Sequence, residues 1–291
     1  MIESKKIRVF VTGINSELMR RLVNKMPFDK FEIFGLSRKN ILIPNVTIVS
    51  GDLQNVENWE NALKDIDLII HAAAITHSYD ASEYFRINTE ATEKFILLAV
   101  KNKVKQFVFI SSRTANLASG AYGASKYLAE QFLIKNHSNY IIFRPSEIFG
   151  GQKGEGIDQL ISDAKTKRII ACPVGIDNKL WPIFLDDTVA LIHEYIFNRN
   201  TFCETITLNG PEGFTLKEIV NLTALISKRK VFILPIPKII LLFIRVILET
   251  LKLKIGPKPD QISRLYSEKE VQKLNFNFKS LENYLKESVK K

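Results

Sequence analysis

The chain has 291 residues, 46% of them hydrophobic and 25% charged, a composition typical of a globular protein with one large or two smaller domains. Its net charge is +10, but the basic residues are scattered and no nucleic-acid-binding motif is present, so we expect no nucleic acid partner. The only cysteines, Cys172 and Cys203, exclude a disulfide framework and a cysteine metal cluster and indicate a reducing cytoplasm. Residues 1–6 run directly into a strand pattern, so we expect no signal peptide, and we expect no bound metal.

The first structural signal is a strand, a glycine turn and a helix. Residues 7–12 are apolar and β-branched, Gly13 ends the run, and residues 17–23 have a helical pattern. A dinucleotide-binding fold begins in this way, with the helix N-terminus offering N–H groups to a pyrophosphate. A full fingerprint has three glycines, whereas Ser16 and Met19 occupy the other two positions here. Met19 predicts looser or shifted packing of the helix on the strand.

The next two strands, residues 31–36 and 46–50, end in residues that bear on cofactor choice. Ser37 and Arg38 follow the first of them, where an acidic residue would bind ribose hydroxyls and favour NAD. A serine and cations there can accept a 2′-phosphate and favour NADP; the alternative is a solvated basic loop. Asp52 follows the second strand and could reach the adenine amino group or cap the next helix.

Further strands and helices alternate along the chain. A strand is predicted over residues 67–74, a helix over 84–101, and two more strands over 106–110 and 140–145. The fifth strand delivers Ser112 at its C-terminal end, where ligands bind in open parallel sheets, and His71 in the fourth is interpreted as structural. Such alternation predicts a doubly wound parallel sheet.

Tyr122 and Lys126 lie four residues apart, so on a helix they project from one face. An ammonium beside a phenol lowers the tyrosine pKa from its free value of about 10. Such a tyrosine can exchange a proton with a carbonyl or alcohol oxygen while a serine hydroxyl, here Ser112, holds that oxygen. This is the chemistry of hydride transfer beside a nicotinamide. Taken alone, the spacing is also compatible with an ordinary amphipathic helix.

Taken together and in order, the motifs resemble the extended short-chain dehydrogenase/reductase superfamily, in its NAD(P)-dependent nucleotide-sugar epimerase/dehydratase branch. The matching segments are residues 11–13, 51–53, 71–74, 111–112, 122–126, 144–145, 149–150, 181–187, 208–210, 214–219, 274–278 and 280–285. The resemblance implies an α/β fold, a Rossmann-type doubly wound parallel sheet with a smaller C-terminal substrate-binding domain. We expect residues 1–149 plus 182–209 in the first domain and 150–181 plus 210–291 in the second.

The resemblance also implies a set of site residues. The catalytic residues are Ser112, Tyr122 and Lys126, in which the lysine holds the ribose and tunes the tyrosine. The cofactor-binding residues are Gly13, Asn15, Ser16, Glu17, Leu18, Ser37, Arg38, Asp52, Leu53, Ala72, Ala73, Ala74, Asn88, Ile110, Tyr122, Lys126 and Pro145. The substrate-binding residues are Thr76, Arg113, Glu147, Lys179 and Arg264, with the last two as candidates for the pyrophosphate. Asp186 and Asp187 are expected to cap a helix that begins near Thr188.

Arg113 and Thr114 stand where dehydratases of this branch have an Asp-Glu pair, which argues against a 4,6-dehydratase. Keto-sugar reduction or 4-epimerisation remains. Ser37, Arg38 and the incomplete glycine turn favour an exchangeable NADPH, so we expect NADPH-dependent 4-keto reduction of a UDP-linked sugar in surface-polysaccharide precursor synthesis. One alternative is a 4-epimerase that retains NAD. An alternative of another class is a non-catalytic NAD(P)-binding regulatory or scaffold protein, motivated by the missing glycines.

Residues 231–248 are unusually apolar, but Arg245 and Glu249 interrupt a run that is too short for the roughly 20 residues of a membrane span. Pro235 and Pro237 predict a helix start. We expect a helix packed on the substrate domain, with peripheral contact to the inner membrane or to another subunit as alternatives. The expected location is therefore the cytoplasm, and the resemblance implies a homodimer.

Overall fold

The computed structural model describes residues 5–175, 179–199, 202–251, 254–256 and 258–290. Residues 1–4, which enter the expectation about a signal peptide, lie outside that part. The strands, in chain order, are β1 Ile7–Thr12, β2 Phe31–Ser37, β3 Val46–Ser50, β4 Leu68–His71, β5 Gln106–Ile110, β6 Tyr140–Pro145, β7 Ile148–Phe149, β8 Ile169–Pro173, β9 Ile183–Phe184, β10 Glu204–Leu208 and β11 Phe232–Ile236. The helices are α1 Glu17–Asn24, α2 Ala81–Tyr84, a π-helical turn Phe85–Glu90, α3 Ala91–Lys101, α4 Gly120–Asn136, α5 Ile157–Thr166, α6 Leu185–Phe197, α7 Leu216–Ile226, α8 Lys238–Thr250, α9 Pro259–Leu265 and α10 Leu281–Lys290.

Seven strands form one parallel sheet in the order β10-β6-β5-β4-β1-β2-β3. This order confirms the predicted doubly wound sheet. The chain leaves β1 toward β2 on one side and returns to β4 on the other, so a crevice opens beyond the carboxyl ends of β1 and β4.

Both faces of the sheet are covered, which explains why its strands are apolar without alternation. Val9 and Val11 point into a core shared with α1 and α6, whereas Phe10 points into a second core shared with α3 and α4. Met19 of α1 is fully buried in the first of these cores. Met19 therefore does not loosen the packing, because its flexible, unbranched side chain fills the space against the sheet, whereas a shift of the helix remains a prediction.

A smaller C-terminal part has its own apolar clusters. One cluster joins α5, α7 and α10 around Ile161, Ile219 and Leu285. Another packs Ile170 and Cys172 of β8 under α7, and β8 pairs with β11 in a separate two-stranded sheet. The smaller part expected from the sequence is therefore present, whereas the numerical domain bounds remain a prediction.

Two helices differ from expectation. Helix α6 begins at Leu185, with Phe184 in the N-cap position, so the expected start near Thr188 is wrong. Strand β9 runs straight into the helix, and the two aspartates lie in its first turn, where negative charge stabilises the helix dipole. Asp186 also pairs with Arg21 at 2.5 Å, and Asp187 accepts the Lys279 N–H at 2.7 Å, so these carboxylates join three segments.

The expected helix over residues 84–101 contains the π-helical turn Phe85–Glu90. Asn88 and Thr89 in this turn both reach α4, where they bond the hydroxyl and the carbonyl of Ser125 at 3.2 and 2.9 Å. The wider turn thus lets two consecutive side chains hold the helix that contains Tyr122.

Candidate active site

Ser112 and Tyr122 come together where β5 ends and α4 begins. Tyr122 lies in the first turn of α4 and is buried, and Ser112, just after β5, is close enough for its hydroxyl to oppose the rise that burial causes in the pKa of Tyr122. The Ser112 hydroxyl lies 2.9 Å from Thr114 Oγ1 and accepts the Thr114 N–H at 3.2 Å, which fixes its position. The structure therefore juxtaposes the predicted proton carrier and the predicted oxygen-holding group.

Lys126 is buried one turn further along α4. Its Nζ donates to the Ile110 carbonyl at 2.8 Å and lies 4.0 Å from the centroid of the Phe109 ring. Burial lowers the pKa of Lys126 to about 7, with Glu130 opposing the shift. Lys126 is thus bonded to the end of β5. The charged groups that shift the pKa of Tyr122 are instead Arg264 and Asp260.

Helix α9 packs on the N-terminus of α4 and brings this charged pair to Tyr122. Asp260 Oδ1 accepts the Tyr122 N–H at 2.9 Å, and its Oδ2 lies 2.8 Å from Arg264 Nε. The Arg264 guanidinium carbon lies 4.6 Å from the centroid of the Tyr122 ring. Burial raises the pKa of Tyr122, and Arg264 opposes that rise.

Gly120 makes the approach of Asp260 possible. Its φ of +78° is unfavourable for other residues, and a Cβ there would lie 2.5 Å from Asp260 Oδ1. Asp260 therefore caps α4 from a distant segment, a role that no sequence signal predicted.

A cavity of about 380 Å³ opens at the crevice beyond β1 and β4. Its lining residues are Gly13, Asn15, Ser16, Arg38, Asp52, Leu53, Gln54, Ala72, Ala73, Ala74, Ile75, Ile87 and Lys153. Gly13 has a φ of +69°, and a Cβ there would lie 2.7 Å from the Ala72 carbonyl carbon, so only glycine lets the turn approach β4 this closely. The Ser16 side chain caps α1 by accepting the Met19 N–H at 3.3 Å.

The cavity residues fit a dinucleotide. The first turn of α1 presents N–H groups, and the small side chains of the alanines after β4 let a ligand come close to the backbone there. Arg38 and Lys153 add positive charge. Lys153 was missed, because it belongs to a loop far along the chain. Glu17 holds that loop by accepting the Gln152 N–H at 2.8 Å, while its other oxygen pairs with Arg21 at 2.7 Å.

Ser37 and Arg38 differ in their availability. Ser37 is buried; its hydroxyl accepts from Asn15 Nδ2 at 3.0 Å and donates to the Lys39 carbonyl at 2.8 Å. The Arg38 side chain is 76% exposed and lies 3.8 Å from an Asp52 oxygen at the cavity rim. Of this pair, Arg38 is the one free to meet an added phosphate.

The other predicted cofactor residues, among them Leu18, Asn88 and Pro145, do not line this cavity. Asn88 bonds both the N–H and the carbonyl of Ile75, at 2.8 and 3.0 Å. Leu18 packs on the core, and Pro145 accepts the Arg113 N–H through its carbonyl at 3.0 Å. Their contacts position the lining residues and the end of β6.

His71 is fully buried under the crevice. Its Nδ1 lies 2.6 Å from Thr12 Oγ1 and its Nε2 lies 3.0 Å from Thr92 Oγ1. Burial and the nearby Lys126 lower the pKa of His71 well below its ordinary value, so the ring is neutral. These contacts support its interpretation as structural.

A second cavity, of about 690 Å³, lies between the sheet and the smaller part. Its lining residues are Thr76, His77, Thr114, Ser146, Glu147, Ile148, Glu155, Gly156, Ile157, Gln159, Leu160, Asp163, Leu180, Leu216, Gln261, Arg264, Leu265 and Lys269. Among the predicted substrate residues, Thr76, Glu147 and Arg264 line it. Lys179 is exposed next to the lining residue Leu180, and Arg113 is buried behind Glu147.

Arg113, Glu147 and Lys269 form a buried charged cluster at this second cavity. Glu147 lies 2.8 Å from Arg113 Nη2 and 3.4 Å from Lys269 Nζ. Burial raises the pKa of Glu147, but Lys269 and Arg113 outweigh it and hold the pKa below its usual value. Burial lowers the pKa of Lys269. Lys269 was missed, because it lies in a segment without regular periodicity.

The sheet, its crevice and the Ser112–Tyr122 pair define a Rossmann-type dinucleotide-binding protein with an adjoining second cavity. The chain belongs to the NAD dependent epimerase/dehydratase family, which residues 9–182 match.

Curated relatives share part of the chain. They include the NADH-ubiquinone oxidoreductase 40 kDa subunit of Neurospora crassa, 24% identical over 175 residues, which are 60% of this chain and 45% of that protein. The UDP-glucose 4-epimerase of Vibrio cholerae is 26% identical over 218 residues, with coverage of 64% and 65%. The 4-hydroxy-2-methyl-3-oxo-4-farnesyl-3,4-dihydroquinoline-1-oxide ketoreductase of Stigmatella aurantiaca is 25% identical over 189 residues, with 56% of each chain covered. The chain thus spans about half the length of the curated relatives it matches.

Solved structures share the fold over most of the chain. The Bordetella bronchiseptica enzyme WbmG in complex with NAD has a TM-score of 0.69 and 16% identity, with 81% of this chain and 83% of that chain covered. MoeE5 in complex with UDP-glucuronic acid and NAD has a TM-score of 0.70 and 19% identity, with coverage of 79% and 85%. These likenesses confirm the Rossmann-type fold.

Proposed function

We propose that this protein reduces the 4-keto group of a nucleotide-activated sugar, UDP-linked, with NADPH, in the synthesis of surface-polysaccharide precursors. The observation behind the proposal is the proximity of Ser112 and Tyr122, whose neighbours Thr114 and Arg264 line the second cavity. Arg264, stacked on Tyr122, lines the second cavity. Asn88, which bonds Ser125 of α4, also holds Ile75 in the wall of the first.

Tyr122 and Ser112 divide the proton chemistry. Ser112 orients the keto oxygen by hydrogen bonding, and the Tyr122 hydroxyl gives that oxygen its proton. When bound, the reduced nicotinamide supplies the hydride to the carbonyl carbon. The phenolate left on Tyr122 is stabilised by the Arg264 guanidinium before a proton from water restores the hydroxyl.

The second cavity suits an anionic, nucleotide-linked substrate. Arg264 and Lys269 line it, and Arg113 lies directly behind, paired with Glu147. The carboxylates of Glu155 and Asp163 also line this cavity, so the diphosphate would bind at its Arg264 side. Guanidinium and ammonium groups bind diphosphate oxygens through charge-assisted hydrogen bonds. The names of related proteins support the same substrate class: UDP-glucose for the Vibrio cholerae epimerase and UDP-glucuronic acid for the MoeE5 complex.

Reduction is favoured over dehydration by the residues after Ser112. Arg113 and Thr114 offer no carboxylate for moving a sugar ring proton, and the Arg113 guanidinium is already paired with Glu147. Exposed Arg38 at the end of β2 supports NADPH, and the ketoreductase from Stigmatella aurantiaca shows that reducing enzymes occur among the relatives. The test is to mix the purified protein with NADPH and a series of UDP-4-keto-sugars. Nicotinamide oxidation with at least one is expected, and none across the series would contradict the proposal.

A second candidate is an NAD-dependent 4-epimerase. It is favoured by the relationship to the epimerase from Vibrio cholerae and by the likeness to the Bordetella bronchiseptica enzyme WbmG in complex with NAD. An epimerase retains its cofactor through turnover. Denaturing the purified protein and identifying the released nucleotide separates the two, because co-purified NAD favours the epimerase. A Tyr122→Phe change that leaves the cellular phenotype unaltered would favour a non-catalytic role instead.

A further inference from the structure

Helix α8 presents apolar side chains to the outside. Of its thirteen residues only Leu248 is buried, although Ile, Leu, Val and Phe make up most of the helix. Ile239, Phe243 and Val246, at helical spacing, are 74%, 66% and 51% exposed. With Ile240 and Leu242 they line a shallow apolar groove of about 490 Å³.

The inner side of α8 is anchored to α9. Arg245 Nη1 donates to Ser263 Oγ of α9 at 3.0 Å, and Leu248 is buried. The helix is therefore held in place from one side, and its outer apolar face is a feature of the folded chain.

The apolar surface continues onto the two-stranded sheet before α8. Phe232 of β11 pairs in register with Ile169 of β8, and Leu234 pairs with Ala171. Side chains at paired positions of a parallel sheet share a face, and all four of these residues are exposed. Only Pro237 lies between the end of β11 and the start of α8.

Cations border the far end of this surface. Arg168, Lys228, Arg229 and Lys230 line a cleft of about 540 Å³ together with Phe232. Arg168 immediately precedes β8, so the cations lie at the start of both exposed strands. Lys238 stands at the first position of α8.

We propose that this surface, formed by the outer faces of β8, β11 and α8 with the adjoining cations, binds peripherally to an anionic lipid bilayer. Within the described part of the chain, every helix is too short or too polar to cross a membrane, so the contact would lie in the plane of the interface. An apolar face with flanking Lys and Arg matches the two components of such binding, acyl-chain burial and attraction to anionic headgroups.

The charge distribution favours a bilayer over a second copy of the chain. In a two-fold symmetric dimer through this surface the apolar faces would pair, and the cationic clefts at the far ends would gain no anionic partner. Anionic headgroups instead complement the cleft. The proposal is independent of the reaction catalysed.

The test is co-sedimentation of the full-length protein with phosphatidylcholine vesicles, with and without about one third phosphatidylglycerol. Binding is expected to the anionic vesicles, to weaken with salt, and to be nearly lost on pure phosphatidylcholine. Ile239→Asp with Phe243→Asp should weaken binding at least about tenfold, and Lys228→Glu with Lys230→Glu should weaken it and reduce the salt dependence.

Leu42→Asp is the matched control, since Leu42 is 92% exposed and lies in the Rossmann part, and it should bind as the wild type does. Circular dichroism melting and light scattering accompany each variant. Two results would overturn the proposal. One is vesicle binding that Ile239→Asp with Phe243→Asp leaves intact, and the other is a failure of the wild type to bind anionic vesicles. If the wild type is a dimer that does not bind vesicles, and the apolar double change makes it a monomer, the surface would be assigned to a second copy of the chain.

Discussion

The guanidinium of Arg264 lies over the ring of Tyr122, 4.6 Å from its centroid, and its Nε lies 2.8 Å from the Asp260 carboxylate. A segment late in the chain thus provides the cation beside the proposed proton carrier. The resemblance had assigned that role to Lys126, which instead bonds the Ile110 carbonyl, and had given Arg264 to the pyrophosphate. Both roles for Arg264 are compatible with its place between Tyr122 and the second cavity.

Replacing Arg264 with Gln should raise the tyrosine pKa seen in the pH profile of alcohol oxidation, because the cation that lowers the Tyr122 pKa is removed. A cation over an aromatic ring contributes roughly 1–2 kcal/mol when desolvated, so kcat near neutral pH should fall roughly tenfold. Arg199→Gln is the matched control, since Arg199 stacks on Tyr195 at 4.5 Å. A profile for R264Q that coincides with that of R199Q would argue against the role of Arg264.

Replacing Asp260 with Ala should cost about 1 kcal/mol of unfolding free energy, the usual value for a lost helix cap, because the Tyr122 N–H loses its acceptor. Urea denaturation measures this cost. The turnover number should also fall, since Arg264 loses its partner. Thr215→Ala removes the cap of α7 and should lower stability by a similar amount without a fall in kcat. An equal loss of kcat in both variants would show that Asp260 contributes to stability and not to turnover.

Lys126 should make stability depend on pH in the nucleotide-free protein. Its pKa is about 7 in the folded chain and 10.5 in the unfolded one, so between these values the unfolded chain binds more protons. The contribution of Lys126 is therefore most unfavourable below pH 7 and fades as the pH rises toward 10.5. Lys126→Met should raise the Tm at pH 6 and lose this advantage near pH 10, as measured by calorimetry. A Tm difference that is the same at both pH values would contradict a depressed Lys126 pKa.

Arg38→Ala should raise the KM for NADPH about tenfold and leave that for NADH nearly unchanged, as expected for loss of one charge-assisted phosphate contact. Steady-state kinetics with both cofactors provide the measurement. Lys101→Ala removes a similarly exposed cation away from the cavity and should change neither KM. If R38A shifts the KM values for NADPH and NADH equally, Arg38 does not bind the 2′-phosphate.

The local motifs could be predicted from the sequence. Strand, glycine turn and helix around Gly13, and the delivery of Ser112 by β5, follow from periodicity and from the direction of parallel strands. The four-residue spacing of Tyr122 and Lys126 also predicted their place on one face of a helix, although not their partners. Whether a nearby side chain touches Tyr122 depends on tertiary packing that spacing along a helix does not encode.

The contacts that could not be predicted come from distant segments. Asp260 and Arg264 reach Tyr122 across nearly half of the chain, and Lys153 and Lys269 enter the two cavities from loops. A lone Asp or Lys in such a loop looks like a solvated surface residue until its neighbours are known. The missed start of α6 has a similar cause, because Asp186 and Asp187 resemble caps but bind Arg21 and Lys279 instead.

The most direct test of the central claim compares Tyr122→Phe with the wild type in NADPH-dependent reduction of a UDP-4-keto-sugar. The variant should still bind NADPH, measured by fluorescence titration, while kcat falls by roughly a hundredfold or more. Retained wild-type turnover in the variant would show that Tyr122 does not supply the proton and would contradict the proposed chemistry.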